Sequence, residues 1–242
     1  MEKAIETWGL TKHFFPKREA ISNIYLRIDY GEVRGILGPP GAGKTTLLKI
    51  LMGRQRPSAG SGFCLGHNLA AEDTAIRKKT GYVFGEASMY EFLSVQDMAV
   101  LIRKFYDHWN WDVFSKYVER LDISPRRKIK KLSLEEKSML ALILALAPEP
   151  LLLLMDEPTL HFNDLSYRQA FGEIVHAEML DPSKAVVIAS SQLEEIDMLS
   201  VEANLMCKGQ IVGKYRLEDL KYKDSPDDIE EVCRMYMEEE GI

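Results

Sequence analysis

Cysteine is scarce, positive charge is not in excess, and no apolar run is long and unbroken enough to cross a bilayer. The three cysteines, Cys64, Cys207 and Cys233, are odd in number, far apart and without metal-ligand spacing. They argue against a zinc module or a disulfide framework and predict buried or free thiols in a reducing compartment. With 31 Lys and Arg against 37 Asp and Glu the net charge is −6, so the basic footprint of a duplex binder is missing and nucleic acid is not an expected partner. The richest apolar stretch, residues 139–155, is cut by Pro148-Glu149-Pro150 and reads as a buried helix followed by a buried strand. No basic segment followed by an apolar run opens the chain, so no secretory signal is expected. These deficits point to a cytoplasmic protein that reaches a membrane only through another protein.

What is present begins with a full match to G-x-x-x-x-G-K-[ST]. Gly38-Pro39-Pro40-Gly41-Ala42-Gly43-Lys44-Thr45-Thr46 follows the apolar run 33–37 and leads into a helix expected over about 44–52. Glycines let the backbone curl so that successive N–H groups face phosphate oxygens, and the helix aims its positive end at the same anion. In such a loop Lys44 reaches the β and γ phosphates and the Thr45 hydroxyl ligates Mg²⁺. The loop therefore predicts a nucleoside triphosphate site.

The 242 residues, 46% hydrophobic and 28% charged, are enough for one core with an inserted or appended subdomain. Residues 4–7 and 21–28 read as strands, and Tyr30-Gly31-Glu32 as the turn into the strand before the loop. Further on, 62–65 and 81–84 read as short strands and about 71–79 as a polar helix. From 94 to 146 the pattern is helical, with Val95, Met98, Leu101, Ile102 and Phe105 on one face and Val113, Tyr117, Val118 and Leu121 on another. The aromatic run 105–111 either packs between these helices or forms a docking surface, and the basic run 126–131 reads as a solvated linker. Residues 151–155 and 185–189 are continuous apolar strands joined by a helix from about 164 to 179, which predicts a parallel sheet. Residues 205–207 and 211–215 flank Lys208-Gly209 as a closing hairpin. An acidic helix over about 221–242 places Ile229, Val232, Cys233, Tyr236 and Met237 on one face and caps the domain.

The strand 151–155 ends in Asp156-Glu157. An acid at the C-terminal edge of a parallel sheet is what Mg²⁺ handling beside a phosphate loop needs, so Asp156 is the expected metal partner. Glu157 is placed to hold a water in line with the γ phosphate.

The chain resembles the ATP-binding cassette ATPases, the nucleotide-binding subunits of ABC transporters. The resemblance runs from Trp8-Gly9-Leu10-Thr11-Lys12-His13-Phe14 through the loop to Leu152-Leu153-Leu154-Met155-Asp156-Glu157-Pro158-Thr159 and Gln192-Leu193-Glu194-Glu195. It implies an α/β P-loop NTPase fold, with a RecA-like parallel-sheet core, an antiparallel β arm and a helical subdomain inserted over about 86–146. It implies ATP and Mg²⁺ as ligands, with Phe14, or alternatively Phe15, stacking on adenine. It also implies a separate transmembrane permease and a second ATPase subunit, in a homo- or heterodimer on the inner face of the cell membrane. Length and single-chain format look most like bacterial or archaeal exporter subunits.

Four departures from the family pattern bear on activity. Gly85, with Glu86 beside it, stands where a glutamine is usual, and Leu132-Ser133-Leu134-Glu135-Glu136 replaces Leu-Ser-Gly-Gly-Gln. Leu160-His161-Phe162-Asn163 replaces Ser-Gly-Leu-Asp, and Ser191 replaces the switch histidine. Side chains at 134 and 135 obstruct a partner's γ phosphate, while Ser133 and Glu136 make a helix capping box. His161, outside the switch position, reads as structural. Two readings follow. One is an ATPase motor, slow when alone; the other is a nucleotide-binding, weakly hydrolysing half of a heterodimer. A soluble cassette acting on ribosomes or DNA fits less well, since neither a second cassette nor a long coiled-coil insertion is visible.

Overall fold

A computed structural model describes residues 3–16, 18–71, 74–85, 89–224 and 229–239. In chain order the elements are β1 (Lys3–Phe14), β2 (Arg18–Asp29), β3 (Val33–Leu37), α1 (Lys44–Leu51), β4 (Ala59–Cys64), β5 (His67–Asn68), α2 (Thr74–Lys78) and β6 (Thr80–Phe84). Three helices follow, α3 (Val95–Arg103), α4 (Trp111–Arg120) and α5 (Leu134–Leu146), with a 3-10 turn at Ile129–Lys131 before the last. The chain continues through β7 (Leu152–Asp156), α6 (Leu165–Met179), β8 (Ala185–Ser190), α7 (Leu193–Asp197), β9 (Glu202–Cys207), β10 (Gln210–Arg216), α8 (Leu217–Asp224) and α9 (Ile229–Glu239).

The described strands form two sheets. An antiparallel one runs β2-β1-β4-β5, and a larger one runs β10-β9-β3-β8-β7-β6. In the larger sheet β9, β3, β8, β7 and β6 are parallel, and β10 adds an antiparallel edge. This is the expected α/β fold. The apolar runs are continuous because both faces of the sheet are covered. Leu152, Leu154, Ala185, Val187 and Ala189 pack toward α1 and the antiparallel sheet, while Leu153, Met155, Val186 and Ile188 pack into the helical layer around α5 and α6. The hairpin at Lys208-Gly209 does more than close the chain, since its first strand, β9, also pairs in parallel with β3.

Several expectations change. The acidic C-terminal helix is two helices, α8 and α9, with 225–228 and 240–242 outside the described residues. Cys207 and Cys233 are not free thiols: a disulfide with a Cα–Cα distance of 5.7 Å ties α9 to β9, leaving buried Cys64 free. The spacing of the two residues along the chain gives no hint of this pairing, which needs the apolar face of α9 laid on β9. The basic run 126–131 is not merely solvated. Ile129 is buried, and the Arg127 guanidinium donates to Glu136 Oε1 and to the Lys131 carbonyl, both at 2.6 Å. Of the aromatic run, Trp109 and Trp111 pack with Phe114 between helices, while Phe105 is exposed. No helix among the described residues is long and apolar enough to cross a membrane.

Candidate functional site

Parallel register brings three strand ends to one edge of the sheet. Leu37 of β3 pairs with Ser190 of β8, and Asp156 of β7 pairs with Ala189, so the Gly38 loop, Asp156-Glu157 and Ser190-Ser191 leave the sheet side by side. The loop is fastened there by Gly38 N–H donating to the Ser190 carbonyl at 3.1 Å. Gly43 caps α1 with φ of 105°, and a Cβ on it would meet the Ala20 carbonyl oxygen at 2.4 Å. Only glycine fits a left-handed position so close to neighbouring backbone.

A cavity of about 410 Å³ opens over the loop, lined by residues 40–46, Glu157 and, from the antiparallel sheet, Phe14, Glu19 and Ala20. Phe14 lies at its rim, 37% exposed, with the Lys12 ammonium 5.4 Å from the ring centroid, whereas Phe15 is 99% exposed. Lys44 is buried. Its Nζ donates to the carbonyls of Gly38 at 2.6 Å and Pro39 at 3.1 Å, and lies 3.2 Å from Glu157 Oε1. The Thr45 hydroxyl hydrogen-bonds the buried Asp156 carboxylate, and Tyr82 donates its hydroxyl to Asp156 Oδ2 at 3.4 Å. Burial pushes the Asp156 carboxyl up, as does the neighbouring Glu157 charge, while the Thr45 hydrogen bond, Lys44 and Lys49 pull it down. The two groups expected to hold Mg²⁺ thus touch each other and offer hard oxygen donors, a set that fits this ion.

Glu157 adopts φ of 48°, an uncommon backbone state for a non-glycine residue that occurs at functional sites. Its Oε2 accepts hydrogen bonds from Ser190 Oγ at 3.0 Å, Ser191 N–H at 3.1 Å and Ser191 Oγ at 3.3 Å. Sequence reasoning missed Tyr82, Ser190 and the buried Glu195, each of which meets a partner more than thirty residues away in the chain. It also missed the reason for Gly85, where a Cβ would lie 2.2 Å from the Glu157 carbonyl oxygen. Glu86 lies outside the described residues.

The residues at the other departures sit apart from this cavity. Ser133 and Glu136 form the expected capping box at the start of α5, with Glu136 N–H donating to Ser133 Oγ at 3.1 Å and Ser133 N–H to Glu136 Oε2 at 2.7 Å. Leu134 is exposed, Asn163 is exposed and His161 is half-buried.

A family model described as ABC transporter matches residues 21–160. The chain is 27% identical over 238 residues to the daunorubicin resistance ATP-binding protein DrrA3 of Streptomyces coeruleorubidus, covering 96% of this chain and 74% of that protein. It is 25% identical over 223 residues to the uncharacterized ABC transporter ATP-binding protein YcbN of Bacillus subtilis (strain 168), covering 91% and 72%. Among solved structures it resembles the dimeric ATP-binding cassette MJ0796 bound to ADP and Pi, with a TM-score of 0.76 at 20% identity over 88% of this chain and 98% of that one. It also resembles cbiO1 from Clostridium perfringens, part of the transporter complex cbiONQ, with a TM-score of 0.77 at 19% identity over 92% of both chains. At those identities the structural likeness is one of fold. With more than half of its length matched by the family model, the chain belongs to the ABC transporter family, in which it is an ATP-binding, ATP-hydrolysing subunit.

Proposed function

We propose that this subunit binds Mg-ATP at the Gly38–Thr46 loop, hydrolyses it slowly when alone, and drives a separate membrane-spanning permease in the direction of export. The observation that carries the reading is the convergence of Lys44, Thr45 and Glu157 on one cavity, with Asp156 behind Thr45. Export draws on relatives named for drug resistance, such as DrrA3. Attachment to the inner face of the cell membrane then runs through the permease.

Phe14 stacks on the adenine, and the backbone N–H groups of residues 41–46 receive the phosphates. Lys44 exchanges the Gly38 and Pro39 carbonyls and Glu157 Oε1 for the β and γ phosphates. That exchange frees Glu157 Oε1 to accept a hydrogen bond from the attacking water, while Oε2 stays held by Ser190 and Ser191. Thr45 and Asp156 would hold Mg²⁺, which would supply positive charge against the triphosphate. Titration of ATP into the purified chain tests this directly. One site per chain is expected, about tenfold weaker or more without Mg²⁺; absence of saturable binding would overturn the reading.

Slow turnover follows from how the departures are used. Ser191 spends its hydroxyl on Glu157 Oε2 at 3.3 Å and is too short to replace an imidazole reaching the γ phosphate. The first turn of α5 is already occupied by an anion of this chain, since Glu136 accepts from Ser133 N–H and from Arg127. The same capping favours a second reading, a heterodimer in which this chain's loop faces an intact signature on a better-equipped partner. Leu134→Gly with Glu135→Gly removes the obstruction and leaves the cap in place. ATP-dependent self-association is expected to remain unchanged, by chromatography and light scattering. A strong gain in dimer would mean that α5 still receives a partner's phosphate, and would count against the heterodimer.

A further inference from the structure

Glu195 lies on α7, 3% exposed, and no cation among the described residues pairs with it. Its Oε1 accepts the backbone N–H of Thr159, in the turn that follows Glu157, and its Oε2 meets Ser190 Oγ. Ser190 is fully buried at the end of β8 and contacts Glu157 Oε2 with the same oxygen at 3.0 Å. Two carboxyl groups thus meet through one hydroxyl. We propose that Glu195 is a positioning residue, which sets Glu157 through Ser190 and at the same time latches the Thr159 turn to the end of β8. The proposal rests on the hydrolytic role given to Glu157.

Counting protons fixes the direction of the chain. Ser190 Oγ has one proton and two lone pairs, and Gln192 N–H donates to it at 2.9 Å. Only one of the two carboxyl contacts can use the hydroxyl proton, so the other needs a proton from the carboxyl side. Glu157 already has a cation beside it, Lys44 at 3.2 Å, and a second donor in Ser191 N–H. Glu195 has no such cation, so it holds the proton and donates to Ser190, which donates to Glu157. Burial pushes the Glu195 carboxyl up and the Glu157 charge pushes it the same way, against the contacts with Ser190 and Thr159. The arrangement fixes one oxygen of Glu157 without using the oxygen that faces the cavity.

A protonated carboxyl has a close mimic. The amide of Glu195→Gln can donate to Ser190 and accept from Thr159, whereas Glu195→Ala leaves the Thr159 N–H unpaired and takes from Ser190 the donor that orients it. Glu195→Ala is expected to lower turnover about tenfold to a hundredfold, the scale of a small displacement of a catalytic group, with ATP affinity within about twofold of wild type. Glu195→Gln should recover most of that loss. Ser190→Ala should match Glu195→Ala, and the double variant should add little, because the two act as one unit. Equal turnover in Glu195→Ala and wild type, or equal impairment in the Gln and Ala variants, would overturn the proposal. If wild type shows no turnover above Glu157→Gln, the hydrolytic reading fails and infrared spectroscopy decides the positioning claim separately. A protonated-carboxyl band in wild type at neutral pH, lost in Glu195→Gln and shifted in Ser190→Ala, supports the link; no such difference overturns it.

Discussion

Glu157→Gln is expected to bind ATP at least as tightly as wild type and to lose about a hundredfold or more in turnover. The amide keeps the size of the side chain but loses the charge that draws Lys44 to 3.2 Å. Lys44 is then freer to meet phosphate, so affinity holds or rises. Activation of the attacking water is what disappears, since a neutral amide oxygen is a poor acceptor for a developing proton. Binding by calorimetry beside phosphate release separates the two effects. Unchanged turnover would remove Glu157 from the reaction; a parallel loss of binding would make it part of the nucleotide cradle.

Gly85→Gln, which restores the residue usual in the family, is expected to damage the protein. Its Cβ would stand 2.2 Å from the Glu157 carbonyl oxygen and 3.4 Å from that of Asp156. Neither neighbour is free to move. Gly85 N–H donates to the Asp156 carbonyl and Glu157 N–H to the Ala189 carbonyl, both at 2.8 Å, while Glu157 holds φ at 48°. Relief has to come from displacing the backbone that aims Glu157. A cost of about 2–3 kcal/mol is expected, as for other overpacked interiors. Turnover should fall by up to about a hundredfold, as for a shift of 1 Å in a catalytic group. Urea unfolding and phosphate release check both, with Gly85→Ala as the variant that brings the Cβ without the amide. A stable Gly85→Gln protein with faster turnover would show that the strand end adapts and that the missing glutamine alone limits the rate.

Local pattern and long-range contact divide what the sequence reveals from what it hides. The loop from Gly38 to Thr46 is legible because its spacing is its mechanism, and the α/β fold is legible because runs such as 152–155 are apolar at every position, as only a strand covered on both faces can be. The Ser133–Glu136 cap is legible because both partners lie within one turn. By contrast, Ser190 and Glu195 reach Glu157 and Thr159 across more than thirty residues, and no periodicity marks such a pair. Gly85 looked like the loss of a side chain. Its meaning lies in the backbone of Glu157, which bends into its path. Cys207 and Cys233 were hidden for the same reason, since 26 residues, with β10 and α8 among them, separate the pair and only the docking of α9 on β9 joins them.

The central claim is that this chain is a working, slow ATPase in spite of the residues it lacks. Phosphate release from Mg-ATP by the purified wild-type chain, under saturating ATP and beside the Glu157→Gln protein, tests it most directly. Slow release that exceeds the Glu157→Gln background and requires Mg²⁺ is the predicted result. Full occupancy by ATP with no release above that background would contradict it, and would leave the chain as the nucleotide-binding half of a pair whose chemistry resides in its partner.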